Sequence, residues 1–125
     1  MKFMQKLQFE AAWDKTISAQ DRLLIEQAFY KTKEQDGRIS CYVIRTAINH
    51  KKQLLITTLI HNRTDQQLNF RNREVSIITE AGKFTQNFTI GALEIPPYCS
   101  MPWTFIFDES INFQFTEIKQ MDIEI

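Results

Sequence analysis

The apolar positions of this chain follow two periods. From Trp13 to Lys31, "WDKTISAQDRLLIEQAFYK", they recur every three to four residues, the spacing of one helix face. Leu24, Ile25, Ala28 and Phe29 share that face by the i, i+3, i+4 rule. Ser18 has the side-chain oxygen an N-cap needs, and Asp21 three residues later makes a shortened capping box. Lys31 and Lys33 suit the negative end of the macrodipole, and Asp36-Gly37 closes the segment as a turn. The pattern predicts one helix over about 18–31. Ahead of it, Lys2 to Phe9 reads as a short leading strand with Phe3, Leu7 and Phe9 apolar.

After Gly37 the period falls to two. "RISCYVIRTAIN" puts Ile39, Cys41 and Val43 on one face and Tyr42, Ile44, Thr46 and Ile48 on the other. "HKK" makes a turn, and "QLLITTLIHN" alternates Leu55, Thr57 and Leu59 against Leu54, Ile56, Thr58 and Ile60. The two segments predict an antiparallel hairpin in a largely buried sheet. Beyond the polar "NRTDQQ" loop, "LNF" and "REVSIIT" read as short strands, and "EAGK" is a turn at Gly82. "FTQNFTI" alternates as Phe84, Gln86, Phe88 and Ile90, and "ALEIPPYCS" leads into "WTFIF". "INFQFTEIKQMDIEI", with Ile111, Phe113 and Phe115 on one face, closes the chain as a strand or two.

Many short strands between turn signals, after one helix, predict a mainly β protein. The expected architecture is an immunoglobulin-like antiparallel β-sandwich with one N-terminal α-helix packed on it. The 125 residues suffice for a single domain with its own core. Zero net charge argues against a general nucleic-acid binder, whose affinity comes from excess cations meeting phosphates. The first half of the chain is nonetheless basic and the second acidic, as two faces of one fold would be. The N-terminal "MKFMQKLQFE" has no apolar run of signal-peptide length, and no window approaches a membrane span. The expectation is a cytoplasmic protein with Cys41 and Cys99 as free thiols.

Motifs that carry chemistry are sparse. His50 and His61 each stand where a strand meets a loop, without the spacing of a metal site, and two cysteines without C-x-x-C do not make one. Ser100 lacks a G-x-S-x-G elbow, and Cys99 has no helix N-terminus beside it to lower its pKa. Gly37, Gly82 and Gly91 lie too far apart for a phosphate loop. No cofactor or metal is expected. The stretch "PPYCSMPWTFIF", residues 96–107, holds all three prolines. Because proline cannot donate to a ladder, that segment should be a sheet edge or a crossover between sheets. Trp103, Phe105 and Phe107 fall on one face, which reads as core or, alternatively, as a docking surface.

Two blocks, "WDKTISAQDRLLIEQAF" at 13–29 and "SMPWTFIF" at 100–107, resemble the SLAP domain of the accessory Sec system S-layer assembly proteins of Gram-positive bacteria. Between them, "LLITTLIHNRTDQQLNF" and "EAGKFTQNFTIGALEIPP" keep the same order of strand, polar loop, turn and strand. The resemblance covers about residues 10–108, with 109–125 as a C-terminal strand extension, so that residues 1–125 form a single stand-alone module. It implies a non-enzymatic accessory role in export of surface-layer or cell-wall proteins. The implied partners are a SecA-type export ATPase or an exported precursor. The motif residues carried over are Trp13, Asp14, Ser18, Asp21, Arg22, Pro102, Trp103 and Phe105. By their own chemistry, the tryptophans pack helix on sheet, Asp14 and Asp21 favour a helix N-terminus, and Arg22 can clamp a carboxylate or carbonyl.

An interaction module would use a free sheet edge or an aromatic patch, and the same edge allows a homodimer. The rival readings are a small-molecule site between helix and sheet, and a thiol-dependent enzyme using Cys99, which would need a depressed thiol pKa.

Overall fold

The computed structural model describes residues 4–108 and 117–124. In chain order the elements are β1 (Lys6–Leu7), α1 (Ala11–Thr16), α2 (Ala19–Thr32), β2 (Ile39–Ile48), β3 (Leu54–Asn62), β4 (Leu68–Thr79), β5 (Gly82–Ile95), β6 (Cys99–Phe107) and β7 (Gln120–Ile123). They build two sheets, ordered β1-β6-β3-β2 and β5-β4-β7. In an immunoglobulin sandwich, strands A-B-E-D form one sheet and C pairs with F in the other. Here β2-β3-β6-β1 stand in the order A-B-E-D, β4 and β7 stand as C and F, and β5 takes the edge beside C. The sandwich is therefore immunoglobulin-like in strand order. One pairing departs from the all-antiparallel expectation: β1 runs parallel to β6, Lys6 opposite Cys99 and Leu7 opposite Ser100.

Apolar alternation places the core between the sheets. Ile56, Val75, Ile77, Leu93, Ile95 and Phe105 are all fully buried there. Phe88 meets Phe105 and Phe107 edge-on, with ring centroids 5.1 Å and 5.3 Å away. The aromatic stripe of β6 is thus core at Phe105 and Phe107 and offers no docking face there. A second, smaller core lies on the outer face of the four-stranded sheet, where Ile25, Ala28 and Phe29 of α2 cover Leu59.

The helical region is two helices, not one. Ile17 and Ser18 are both extended, with ψ of 137° and 156°, which breaks the ladder before α2. Ser18 Oγ accepts from the Asp21 amide at 3.0 Å, so the cap is the one the sequence predicts. α1 has its own cap, the Glu10 carboxylate, which accepts from the Ala12 and Trp13 amides. Ser18→Ala should lower stability by about 1 kcal/mol and Ser18→Asp by much less, read by urea titration. The buried stripe of α2 is Ile25, Ala28, Phe29 and Thr32, which leaves Leu24 at the rim, 41% exposed.

Three irregularities rearrange the predicted strands. Val43 pairs with Thr58 but Arg45 with Thr57, so Ile44 is bulged out of register. The bulge reverses the facing of Thr46 and Ile48, which therefore do not share the face of Tyr42 and Ile44. "LNF" and "REVSIIT" are one strand, β4, interrupted around Asn72, whose φ of +50° an asparagine tolerates better than most residues. β5 likewise runs on through Gly91 to Ile95. The predicted strand face at Ile111, Phe113 and Phe115 lies outside the described residues; the last described strand is β7.

Candidate functional site

Several polar side chains meet along the seam between the helices and the four-stranded sheet. At its N-terminal end, Arg22 Nη2 donates to Asp14 Oδ1 at 2.7 Å and to the Asp14 carbonyl at 3.2 Å. The same guanidinium lies 4.5 Å from the centroid of the Phe9 ring. Trp13 stacks on Trp103, centroids 6.1 Å apart, which fastens α1 to β6. One turn further, Asp21 accepts both Nη1 and Nη2 of Arg45 on β2 at 3.1 Å and 3.3 Å. Trp13, Asp14, Arg22 and Trp103 thus form one cluster, and Ser18 with Asp21 an adjoining one. Both ion pairs are solvent-facing, which limits each to well under about 1 kcal/mol. They orient helices rather than present an unpaired charge.

The other two motif residues lie apart. Phe105 is in the core between the sheets. Pro102 sits opposite Leu59 in β6, on a stretch that β1 no longer accompanies. Its missing donor is harmless there, because among the described residues no further strand accompanies β6 on that side after Ser100. Pro96 and Pro97 occupy the crossover from β5 to β6, as their stiffness requires.

At the C-terminal end of the seam stands a buried array that sequence reading did not foresee. His61 Nε2 is 2.7 Å from Thr32 Oγ1, and Nδ1 is 2.6 Å from Ser100 Oγ. Thr32 gives its hydroxyl proton to the Ala28 carbonyl at 2.7 Å, so it accepts from His61. That fixes the proton on Nε2, leaves Nδ1 bare, and makes Ser100 the donor to it. Gln5 Nε2 completes the array by donating to Ser100 Oγ and to the Asn62 carbonyl. Burial pulls the His61 pKa down to about 4, with Arg63 nearby adding repulsion. A serine donating to a histidine resembles the start of a nucleophilic dyad. Here His61 and Ser100 are fully buried, and the third group is a threonine hydroxyl where a carboxylate would be needed. The array ties α2, β3 and β6 together.

Two neighbours fix the end of β3, Asn62 to the β5–β6 crossover and Arg63 to the end of α2. Asn62, fully buried, donates to the carbonyls of Gln66, Ile95 and Pro96 and accepts from Thr64. Arg63 donates to the carbonyls of Thr32, Lys33 and Gly37 and to Ser40 Oγ, capping the end of α2. The local signal was Asn62-x-Thr64, an Asx-turn pattern at a strand end. Nothing local marks Arg63, since its acceptors are about thirty residues away.

Cys99 lies with the inter-sheet core, on the opposite face of β6 from Ser100 and His61. Burial pushes both thiols up, Cys41 to about 12. That is opposite to the shift a catalytic thiol needs. Both should alkylate with iodoacetamide far more slowly than a free thiol at pH 7.5, and at the free rate only in denaturant. Among the described residues no group of three or more His, Cys, Asp or Glu is placed to hold a metal. The cleft between helices and sheet, lined by Trp13, Ile17, Ile25 and Ile44, has about 30 Å³, room for one water. A shallow open depression beside it runs along Leu23, Leu24 and Gln27.

A two-layer sandwich of immunoglobulin-like strand order, with a helix pair stapled to one sheet by two tryptophans, is the class these observations define. The chain belongs to the SLAP domain family: the family model matches residues 7–125, and so includes both motif blocks and the C-terminal strand. No curated protein and no solved structure matches the chain. No helix among the described residues is long and apolar enough to cross a membrane.

Proposed function

We propose that this chain is a non-enzymatic interaction module that assists accessory-Sec export of surface-layer or cell-wall proteins from the cytoplasm. The observation that carries the reading is the family match over nearly the whole chain, whose name links the SLAP domain to the accessory Sec system. The disposition of the polar groups supports it. His61, Ser100 and Arg63 are engaged in holding α2 to the sheet, and Asn62 in fixing the end of β3 to the β5–β6 crossover. The cleft is far below the roughly 300–1,000 Å³ of a ligand pocket, and the adjoining depression, about 450 Å³, is open to solvent rather than enclosed.

The outer side of α2 offers Leu23 and Tyr30, 54% and 69% exposed, for contact with an export partner. The test is affinity capture of the tagged chain from its native cells, with mass spectrometry. An accessory SecA-type ATPase or an exported precursor should be recovered, and Leu23→Glu with Tyr30→Glu should deplete it. Recovery of neither protein at native expression would overturn the reading.

A further inference from the structure

We propose that the groove between the helix pair and the start of β6 receives an extended segment of the exported protein, and that residues 5–9 of the chain are its resident occupant. The identity of the incoming segment rests on the export reading; the groove rests on contacts within this chain. Lys6 and Gln8 donate their amides to the carbonyls of Tyr98 and Ser100 at 3.0 Å and 2.9 Å. This stretch runs parallel to β6, Lys6 opposite Cys99 and Leu7 opposite Ser100. Its side chains alternate. Gln5 points inward and donates to the Asn62 carbonyl at 2.9 Å and to Ser100 Oγ at 3.2 Å. Leu7 and Phe9 pack on the outer core of α2 and Leu59, and the Arg22 guanidinium lies over the Phe9 ring. Lys6 and Gln8 are exposed. Main-chain bonds along a strand, with a socket for every second side chain, are the means by which strand addition binds an extended peptide.

Two features make the occupant exchangeable. β1 is two residues long and pairs parallel, the less stable arrangement, whereas the other pairings of the described strands are antiparallel and run over at least four residues. The walls of the groove also have supports of their own. α1 is capped by Glu10 and stacked on β6 through Trp13 and Trp103. At the start of β6 the Tyr98 and Cys99 amides donate to the carbonyls of Thr64 and Pro96. Departure of residues 5–9 would strip donors from the carbonyls of Asn62, Tyr98 and Ser100 and leave two apolar sockets. Asn62 and Ser100 are fully buried, and a buried acceptor without a donor is costly. The emptied groove therefore selects a replacement with the same pattern. It needs an amide side chain, then an aliphatic and an aromatic one at two-residue steps, in a strand parallel to β6. A precursor that has not folded offers such a segment with its backbone amides still unpaired, whereas a folded one has already paired them.

The test is fluorescence anisotropy of a labelled peptide of residues 4–10, titrated with the full chain. The resident segment must leave first, so the native chain should bind the peptide weakly, its apparent affinity reduced by the fraction of grooves that are open. Leu7→Ala and Gln5→Ala in the chain weaken the resident and leave the groove intact. Each should therefore tighten peptide binding, by about tenfold. A peptide carrying Leu7→Asp and Phe9→Asp should bind neither variant. Circular dichroism melts show whether each variant is folded, and Gln5→Ala carries the test should Leu7→Ala unfold the chain. Absence of binding to the native chain and to both variants overturns the proposal. So does an affinity indifferent to Leu7→Ala and Gln5→Ala, which would put the peptide elsewhere on the surface. Failure of the export reading shows separately: the groove then takes the peptide as expected, yet capture from native cells brings down no export protein.

Discussion

Phe105→Ala is expected to destabilise the protein by about 3–5 kcal/mol, the range for deleting a buried ring. Phe105 is fully buried and holds the two sheets together through Phe88 at 5.1 Å and Phe70 at 5.7 Å. Removing it leaves a void lined by both layers, which the antiparallel ladders on either side prevent from collapsing. For a chain of this length the melting temperature should fall by roughly 10–20 °C. Trp103 is the larger side chain and shares the same face of β6, yet it is only half-buried and stacks on Trp13 of the short helix α1. Trp103→Ala should therefore cost less, about 1–2 kcal/mol, and act on α1 more than on the sandwich. Should Phe105→Ala prove too unstable to purify, Phe105→Leu, at about 1–2 kcal/mol, preserves the comparison. A larger loss from Trp103→Ala than from Phe105→Ala would show that the helix seam, not the inter-sheet core, dominates stability.

This ranking explains how far the sequence could be read. Alternation of period two marked β2, β3 and β6 because each has a buried face toward the other sheet, and the Ser18 cap was legible because its partner is three residues away. Local chemistry of that kind is written locally. The Ile44 bulge was not legible: an alternating run of β-branched residues looks the same whether or not one residue is squeezed out. β4 and β5 read as broken strands because the polar pair Arg71-Asn72 and the glycine at Gly91 suggest turns; in the fold Asn72 and Gly91 sit in bulges within continuous strands. The helix predicted at about 18–31 is α2; what was missed is α1 ahead of it, a six-residue helix too short to show a buried stripe of its own.

The seam was the least legible part, for a different reason. Trp13, Asp14, Ser18, Asp21, Arg22 and Trp103 do gather there, but by pairing with one another and with Arg45 and Phe9. His61 reads in sequence as a solvated or capping histidine where a strand meets a loop. Its environment is made by Thr32, Ser100 and Gln5, drawn from α2, β6 and the N-terminal segment, and no spacing announces that meeting. The same long-range assembly draws polar groups such as His61, Asn62 and Ser100 inside and puts Leu23, Leu24 and Tyr30 outside.

His61 makes the second large prediction, a loss of stability on acidification well above the carboxylate range. The unfolded chain binds a proton at this histidine near the ordinary pKa of 6.5, whereas the folded chain resists until about 4. Between those values the unfolded state holds more protons, so stability rises with pH there. The contribution is complete above about pH 7 and is lost progressively as the pH falls through 6.5 toward 4. The gap corresponds to roughly 3 kcal/mol at most. The hydrogen bonds give the physical reason. Protonation puts a hydrogen on Nδ1, facing a Ser100 hydroxyl that must then turn its own proton elsewhere, while Gln5 already donates to the same oxygen. Nε2 cannot yield either, because Thr32 has committed its proton to Ala28. Arg63, close by, adds a like charge. Urea unfolding at intervals from pH 7.5 to 4.5 should show the midpoint falling steadily, with α2 released from β3 and β6. His61→Gln should start lower at pH 7.5 and show a nearly flat profile over the same interval. His50→Gln should keep the native slope, since that residue lies in the β2–β3 turn. A native profile flat between pH 6.5 and 4.5, or a slope that survives His61→Gln, would mean that the seam is not pinned by a neutral histidine.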